Sequence, residues 1–154
     1  MRVIALKYIK GFSVVLDGDF DYNRLDFSFE YRKKHKIETS NIFISGSRID
    51  SSLPFGSLYT RWGNSSSDFY APNLLQAVGL YEFVSNRVVS LMFDHNFRNV
   101  IVNSKFMKPE LKIYHNAGIG DLNNSVSHGE IEFKSMNKDY TEAGIGLNNL
   151  FRFN

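Results

Sequence analysis

The stretch Arg24-Leu25-Asp26-Phe27-Ser28-Phe29-Glu30-Tyr31-Arg32 decides the fold, because polar and apolar side chains alternate at every position. Successive side chains of a β-strand point to opposite sides of the backbone. An alternation with a period of two is therefore typical of a strand that has one apolar face and one polar face. We predict such a strand here, with its aromatic side chains all on the apolar side.

The same alternation recurs in five further stretches of the chain. One of them is imperfect, because Phe43 stands where the pattern requires a polar residue. Most of the predicted strands are about 9 to 12 residues long, whereas an ordinary globular strand has about 5–6. This length matches the roughly 9–11 residues that a tilted strand needs to cross a bilayer. The five stretches are residues 2–10, 36–46, 87–97, 109–119 and 140–153.

The composition agrees with a sheet protein and excludes several other classes. The chain of 154 residues contains 14 Phe and 8 Tyr but only 3 Pro, and its formal net charge is +2. Aromatic residues favour pleated sheets, and so small a charge does not indicate a nucleic-acid partner. The absence of cysteine excludes disulfides and thiolate metal sites. The sequence also lacks an apolar run long enough for a transmembrane helix.

Strands with one apolar face can cross a membrane only in a closed barrel, because lipid offers no partner for a free backbone N–H or C=O group. We therefore predict an all-β fold, an antiparallel up-and-down transmembrane β-barrel in the outer membrane of a bacterium. Its apolar side chains would face lipid and its charged side chains would line the lumen. The predicted lipid-facing residues are Leu25, Phe27, Phe29, Val89, Leu91, Phe93, Leu111, Ile113, Ile145 and Leu147.

About six strands make only a partial barrel, since single-chain barrels of this kind have at least eight. No signal peptide precedes the first strand, and the chain stops at Asn154 in the middle of the alternation. We expect residues 1–154 to be a fragment, the C-terminal portion of a longer barrel. A barrel shared by several chains is the alternative.

The connections alternate in length, and long ones are expected outside the cell. By that rule 11–19, 48–78 and 121–139 face outward, whereas 32–35 and 99–108 face the periplasm. Aromatic residues near strand ends fit the girdles at the two membrane interfaces. These are Tyr8, Phe12, Tyr31, Tyr81, Phe97, Tyr114, Tyr140 and Phe153.

The inserted loop at 48–78 is too apolar to be a solvated loop. Connections longer than about 12–15 residues are usually functional or disordered, and this one is rich in large apolar side chains. We predict that it packs inside the lumen; a loop folded on itself outside the barrel is the alternative. Its large apolar residues are Leu53, Phe55, Leu58, Tyr59, Trp62, Phe69, Tyr70, Leu74 and Leu75.

A short motif recurs, since Ala117-Gly118-Ile119-Gly120 is repeated as Ala143-Gly144-Ile145-Gly146. The glycines of both copies fall on the polar face by parity. Glycine within a strand often marks the close approach of another backbone, or a bend. The motif therefore predicts a smooth patch of Gly118, Gly120, Gly144 and Gly146 on which the loop docks. Two barrel bends without docking are the alternative.

Four stretches carry a family resemblance that covers about residues 2–154. The chain resembles the barrel region of large Bacteroidota outer-membrane proteins of unknown function that carry an N-terminal carboxypeptidase-regulatory-like domain. Those barrels are distantly similar to the surface-antigen barrels of outer-membrane assembly and two-partner secretion. The resemblance implies a regulatory-like domain and barrel strands upstream, and two more strands downstream. The stretches are Leu6-Lys7-Tyr8 with Asp19-Phe20-Asp21-Tyr22; Leu53-Pro54-Phe55 through Gly63-Asn64; Asn73-Leu74-Leu75-Gln76 with Tyr81-Glu82-Phe83 and Asp94-His95-Asn96-Phe97; and residues 141–150.

The resemblance also implies a docking arginine. In surface-antigen barrels a long outer loop enters the lumen, and its Arg-Gly-aromatic motif pairs with acids on the inner wall. Tyr59-Thr60-Arg61-Trp62-Gly63 is the matching stretch here, although Trp62 separates Arg61 from the glycine. We expect Arg61 to pair with Glu82 and Asp94, which fall on the lumen face by parity, because a buried charge needs a partner. A solvated Arg61 is the alternative.

Catalytic and metal-binding patterns are not apparent in the sequence. Asp94 and His95 are adjacent, but neighbouring strand residues point to opposite faces and cannot easily cooperate. None of the four histidines (His35, His95, His115 and His128) has the spacing of a metal ligand. His115 falls on the apolar face by parity. We expect no enzymatic activity, no cofactor and no metal.

The function expected from these observations is that of a non-enzymatic outer-membrane barrel protein with a loop-plugged lumen. The distant resemblance implies that it helps to insert or translocate proteins. Its partners would be outer-membrane lipid and other outer-membrane or periplasmic proteins, and not nucleic acid. A passive channel or nutrient transporter is one alternative, and an outer-membrane hydrolase is another. A soluble β-barrel that binds a lipophilic ligand in its interior is also compatible with the alternation.

Overall fold

The computed structural model describes residues 1–13, 21–36, 38–50, 58, 72–79, 82–98, 108–122 and 137–148. These residues form six strands and no helix. None of them belongs to a helix that is long and apolar enough to span a membrane. The strands are β1 (Arg2–Gly11), β2 (Tyr22–Lys34), β3 (Thr39–Asp50), β4 (Arg87–Arg98), β5 (Glu110–Asp121) and β6 (Tyr140–Asn148).

The six strands form one sheet in the order in which they follow along the chain. Each strand runs antiparallel to the next, from β1 through β6. The predicted all-β, antiparallel up-and-down architecture is therefore confirmed. The sheet is open, with β1 and β6 at its two edges, as in a partial barrel.

The observed strand bounds differ from the predicted ones mainly in β3. That strand continues through Asp50, so residues 48–50 belong to the sheet and the connection runs from 51 to 86. The ladder persists because the N–H of Ile49 donates to the carbonyl oxygen of Asn86, at 2.7 Å. Residues 149–153 of the predicted sixth strand lie outside the described residues.

The register divides the strand residues between two faces. Directly opposite residues of an antiparallel pair share a face, and the pairs Phe29–Ile44, Ile44–Leu91 and Ile113–Ile145 fix the apolar one. We call it the exposed face, since the side chains of Leu91 and Ile145 are 43% and 75% exposed. All ten residues predicted to face lipid lie on it. The opposite face, which carries Asp26, Ser90 and Glu142, is called the covered face.

The core among the described residues lies between the covered face and residues 58, 72–79 and 82–86 of the connection. One cluster joins Leu75 and Val78 of the connection to Val88 and Met92 of β4. A second cluster joins Leu58 and Val84 of the connection to Ile49 and Leu122. Each fully buried aliphatic side chain contributes about 1.5–3 kcal/mol, so these four residues of the connection stabilise the fold. The partly buried residues packed against the clusters are Phe43, Phe83 and Tyr140 in the first and Tyr22 in the second.

Candidate functional site

The candidate site is the place where residues 72–79 dock on the covered face, and its anchor is Glu142 of β6. The Glu142 carboxylate accepts hydrogen bonds from the backbone N–H groups of Gln76, at 2.6 Å, and Ala77, at 2.9 Å. It also accepts from the hydroxyl of Tyr140, at 3.0 Å. Hydrogen bonds to an ionised carboxylate are about twice as strong as neutral ones. A single side chain therefore holds the backbone of the connection against the sheet.

Asn116, on the neighbouring strand β5, supports the same anchor. Its side-chain amide donates to Glu142 Oε1, at 2.7 Å, and to the carbonyl oxygen of Leu74, at 3.2 Å. Asn116 is only 3% exposed, and a buried amide requires partners of this kind. Asn116 and Glu142 stand directly opposite each other across β5 and β6. Together they bind one N–H pair and one carbonyl of the docked segment.

Apolar residues on the covered face mark the footprint of the docked segment. Phe43, Val88 and Met92 lie on that face by register, and all three pack around Leu75 and Val78. Each departs from the strict alternation of its strand. The departure of Phe43 from the predicted pattern thus has a physical reason, because this partly buried side chain packs against the connection.

Gly120 allows the connection to pass close to β5. A Cβ atom on Gly120 would lie 2.5 Å from Ser85 Oγ and 3.2 Å from the backbone oxygen of Arg87. The N–H of Asn86 donates to the carbonyl oxygen of Asp121, at 3.0 Å, at the same point. Gly120 is therefore a position of close backbone approach in the sense that the sequence motif suggested.

Replacing Gly120 with alanine is expected to lower the free energy of unfolding by about 1–3 kcal/mol, because the new methyl group overpacks against Ser85 and the Arg87 backbone. Gly146→Ala is the matched control, since a Cβ atom there meets no atom of the described residues within 4 Å. The control should change stability by less than about 0.5 kcal/mol. Urea titrations of both variants check the prediction, and equal effects would contradict it.

The other glycines of the repeated motif have different surroundings. Gly118 is buried opposite Ser90 and Tyr140. Gly144 lies beneath the ring of its cross-strand neighbour Tyr114, which a Cβ atom would overlap. Aromatic rings that cover glycine stabilise strand pairing. Among the described residues, the contact between this motif and the connection that the structure shows is the one at Gly120.

The predicted arginine pairing has three separate outcomes. Arg61 lies outside the described residues. Glu82 is not on a strand, so the parity argument for it was wrong; it lies in the connection and accepts from the N–H of Gly79, at 2.9 Å. Asp94 is on the covered face, where Lys112 Nζ lies 3.2 Å from its Oδ1 atom. Lys112 is thus a cationic partner of Asp94 that the sequence pattern did not indicate.

Beside the docked segment the covered face carries a second polar group and a cavity. Arg24 and Asp26 form a salt bridge at 2.9 Å, and the hydroxyl of Ser47 donates to Asp26. A cavity of about 330 Å³ separates this group from Asn73 and Leu74 of the docked segment. The docked segment therefore fills one part of the covered face and leaves another part open.

The exposed face contains a few polar residues among its apolar ones. His115 is exposed, as its parity predicted, and its Nε2 atom lies 3.1 Å from the hydroxyl of Thr141. His95 also lies on this face, and Asp94 on the other. Two residues of the predicted aromatic girdles do not fit, because Tyr114 and Tyr140 lie on the covered face. Tyr81 and Phe153 lie outside the described residues.

Asp21, which lies just before β2, has a carboxylate that is held by hydrogen bonds from Ser13. The backbone N–H and the hydroxyl of Ser13 both donate to its carboxylate, at 2.9 and 2.7 Å. These hydrogen bonds favour the ionised form and hold the pKa of Asp21 below its ordinary value.

No group of three or more potential metal ligands occurs among the residues that the structure describes.

Glu142 and Asn116 were missed as site residues by the sequence reasoning. No signal in the sequence distinguishes either residue, since both resemble the other polar residues on the polar face of their strands. Comparisons with protein-family models, with curated proteins and with solved structures give no match for this chain.

Proposed function

We propose that the protein is a non-enzymatic outer-membrane β-barrel protein whose lumen is plugged by the connection 51–86. In this proposal the exposed face meets lipid and the covered face lines the lumen. The distant family resemblance supports a role in inserting or translocating proteins. The partners are then outer-membrane lipid and other outer-membrane or periplasmic proteins.

The observation that carries the proposal is the distribution of polarity between the two faces. An antiparallel sheet in water buries its apolar face and solvates its polar one. Here described residues of the connection pack on the face with Asn116 and Glu142, whereas large apolar side chains such as Leu91 and Ile145 on the other face are exposed. A contiguous exposed apolar face of this kind favours contact with lipid. Its most exposed large side chains include Ile4, Leu6 and Tyr8 of β1, Val89 of β4, and Ile145 and Leu147 of β6.

The same distribution disfavours a soluble barrel that binds a lipophilic ligand inside. That arrangement requires the alternate apolar side chains to line a shared interior. Phe27 and Leu91 are instead 42% and 43% exposed, on the face away from the connection. The interior-facing positions carry serine, asparagine and charged residues, which suit a wet lumen.

A passive channel is the second candidate, and the cavity favours it. The opening of about 330 Å³ is bordered by Lys7, Arg24, Asp26 and Ser28, so its wall contains charged and hydroxyl groups. Polar walls of this kind admit water and small solutes. The two candidates differ in whether the docked connection blocks passage.

Deletion of residues 53–76 separates the two candidates. The full chain and the deletion variant are refolded into lipid vesicles and then tested for ion conductance in planar bilayers. A plug predicts low conductance for the full chain and a large rise after deletion, because Leu58 and Leu75 leave the covered face. Deletion of 14–20, in a different connection at the same end, is the control and should change conductance little.

Two results would contradict the proposal. Conductance of the full chain equal to that of the deletion variant would favour an open channel. If the full chain stays monomeric in detergent-free buffer and does not bind lipid vesicles, the membrane assignment is excluded.

A further inference from the structure

The two ends of the sheet differ strongly in charge. We define the basic end as the end of the sheet at which β2 and β3 are connected. It comprises the three terminal residues of every strand at that end and the described residues of the connections there. It carries eight lysine and arginine residues and two acids. The cations are Arg2, Arg32, Lys33, Lys34, Lys36, Arg98, Lys108 and Lys112, and the acids are Glu38 and Glu110.

The opposite end is balanced when it is delimited in the same way. Its cations number five and its acids six among the described residues. The two ends therefore differ by about seven charges, although the formal charge of the whole chain is only +2. The cations are Lys10, Arg24, Arg48, Arg87 and Lys138, and the acids are Asp21, Asp50, Glu82, Asp121, Asp139 and Glu142.

The densest part of the basic end is the end of β2 together with the turn after it. Lys33, Lys34 and Lys36 are all exposed, and no described acid forms a salt bridge with any of them. Arg32 differs, because its guanidinium lies 2.8 Å from Glu30. The end of β2 and the turn after it thus present three cations, Lys33, Lys34 and Lys36, that form no salt bridge with a described acid.

These cations border the exposed apolar face directly. Lys33 follows Tyr31 on that face by parity, and Arg2 stands opposite Tyr31. The Arg2 guanidinium lies 5.5 Å above the Tyr31 ring, the geometry of a cation–π contact. Cations at the boundary between an apolar band and water occupy the depth at which lipid phosphates lie in a bilayer.

We propose that the basic end binds the head groups of anionic phospholipids in the adjacent leaflet. This inference rests on the proposed membrane function and names its lipid partner. A ligand with an anionic head and an apolar body matches both surfaces, the basic turn and the apolar face beside it. Clusters of several lysine and arginine residues next to a membrane segment recognise anionic lipid in this way.

The test compares uptake of the full chain by two kinds of vesicle, phosphatidylcholine alone and phosphatidylcholine with phosphatidylglycerol. We expect about tenfold stronger binding to the anionic vesicles at low salt, falling as ionic strength rises. The triple variant Lys33→Gln, Lys34→Gln, Lys36→Gln should lose most of that preference. The control variant Lys10→Gln, Arg87→Gln, Lys138→Gln removes the same charge from the other end and should keep it.

Each other result overturns the inference in a recognisable way. Equal uptake of the wild-type chain by both kinds of vesicle shows that the basic end does not bind anionic head groups in preference to neutral ones. Equal losses in the two triple variants show that only net charge matters. Competition by millimolar inorganic phosphate would assign the cations to a free anion. Failure to enter either vesicle would instead remove the proposed membrane function itself.

Discussion

Replacing Glu142 with alanine is expected to release residues 72–79 from the sheet and to lower the free energy of unfolding by about 3 kcal/mol. The substitution leaves the N–H groups of Gln76 and Ala77 and the amide of Asn116 without their acceptor. Each lost hydrogen bond to a charged group costs about 1.5–3 kcal/mol, and neighbouring losses are partly shared. Urea titration measures the stability, and limited proteolysis reports the release.

The plug proposal adds a conductance prediction for the same variant. Once the anchor is lost, the connection should leave the covered face for part of the time and ion conductance should rise. Glu110→Ala is the matched control, since Glu110 lies on the same face of the adjacent strand and accepts from Asn96, at 2.7 Å. It should cost about 1 kcal/mol and leave the docked segment protected. Unchanged proteolysis in Glu142→Ala would show that the apolar clusters alone hold the segment.

Phe27→Lys is expected to impair membrane insertion strongly, whereas Ser28→Lys at the next position is expected to be tolerated. Phe27 lies within the apolar band and is 42% exposed. A lysine at the middle of the lipid face of a barrel costs about 2–4 kcal/mol. Ser28 is on the covered face and borders the cavity, so a lysine there has room and a polar wall. Insertion into vesicles, followed by resistance to protease, measures both variants.

This adjacent pair discriminates sharply between lipid and water. A protein whose exposed face met water would gain solubility from Phe27→Lys and lose little stability, since surface substitutions usually change it by less than about 0.5 kcal/mol. Normal insertion of Phe27→Lys would therefore contradict the lipid-facing assignment. Loss of insertion in Ser28→Lys alone would reverse the two faces.

The strands could be predicted because their information is local. Alternation with period two needs only neighbouring residues, and it located all six strands. The bounds were less accurate, because the end of β3 depends on a hydrogen bond from Ile49 to Asn86, which is distant in sequence. The alternation of polar and apolar residues within one strand does not indicate which distant residue forms such a hydrogen bond.

The docking site was predictable only in outline. The apolar content of the connection indicated that it should pack against something, and Leu58, Leu75 and Val78 do pack. The identity of the anchor was not predictable, since Glu142 resembles any other charged residue on the polar face. The parity argument for Glu82 failed because no strand extends to that residue. Arg61, chosen through the family resemblance, remains an untested prediction.

The sequence by itself determined that the chain forms long antiparallel strands, each with an apolar and a polar face, because side-chain direction in a strand follows from backbone geometry alone. Only the tertiary structure decided which face is covered. Residues 72–79 of the connection pack on the polar one, because Phe43, Val88 and Met92 supply apolar contacts there and Glu142 supplies acceptors for their backbone. Those contacts join residues that are far apart in the chain, and periodicity along a strand cannot encode them.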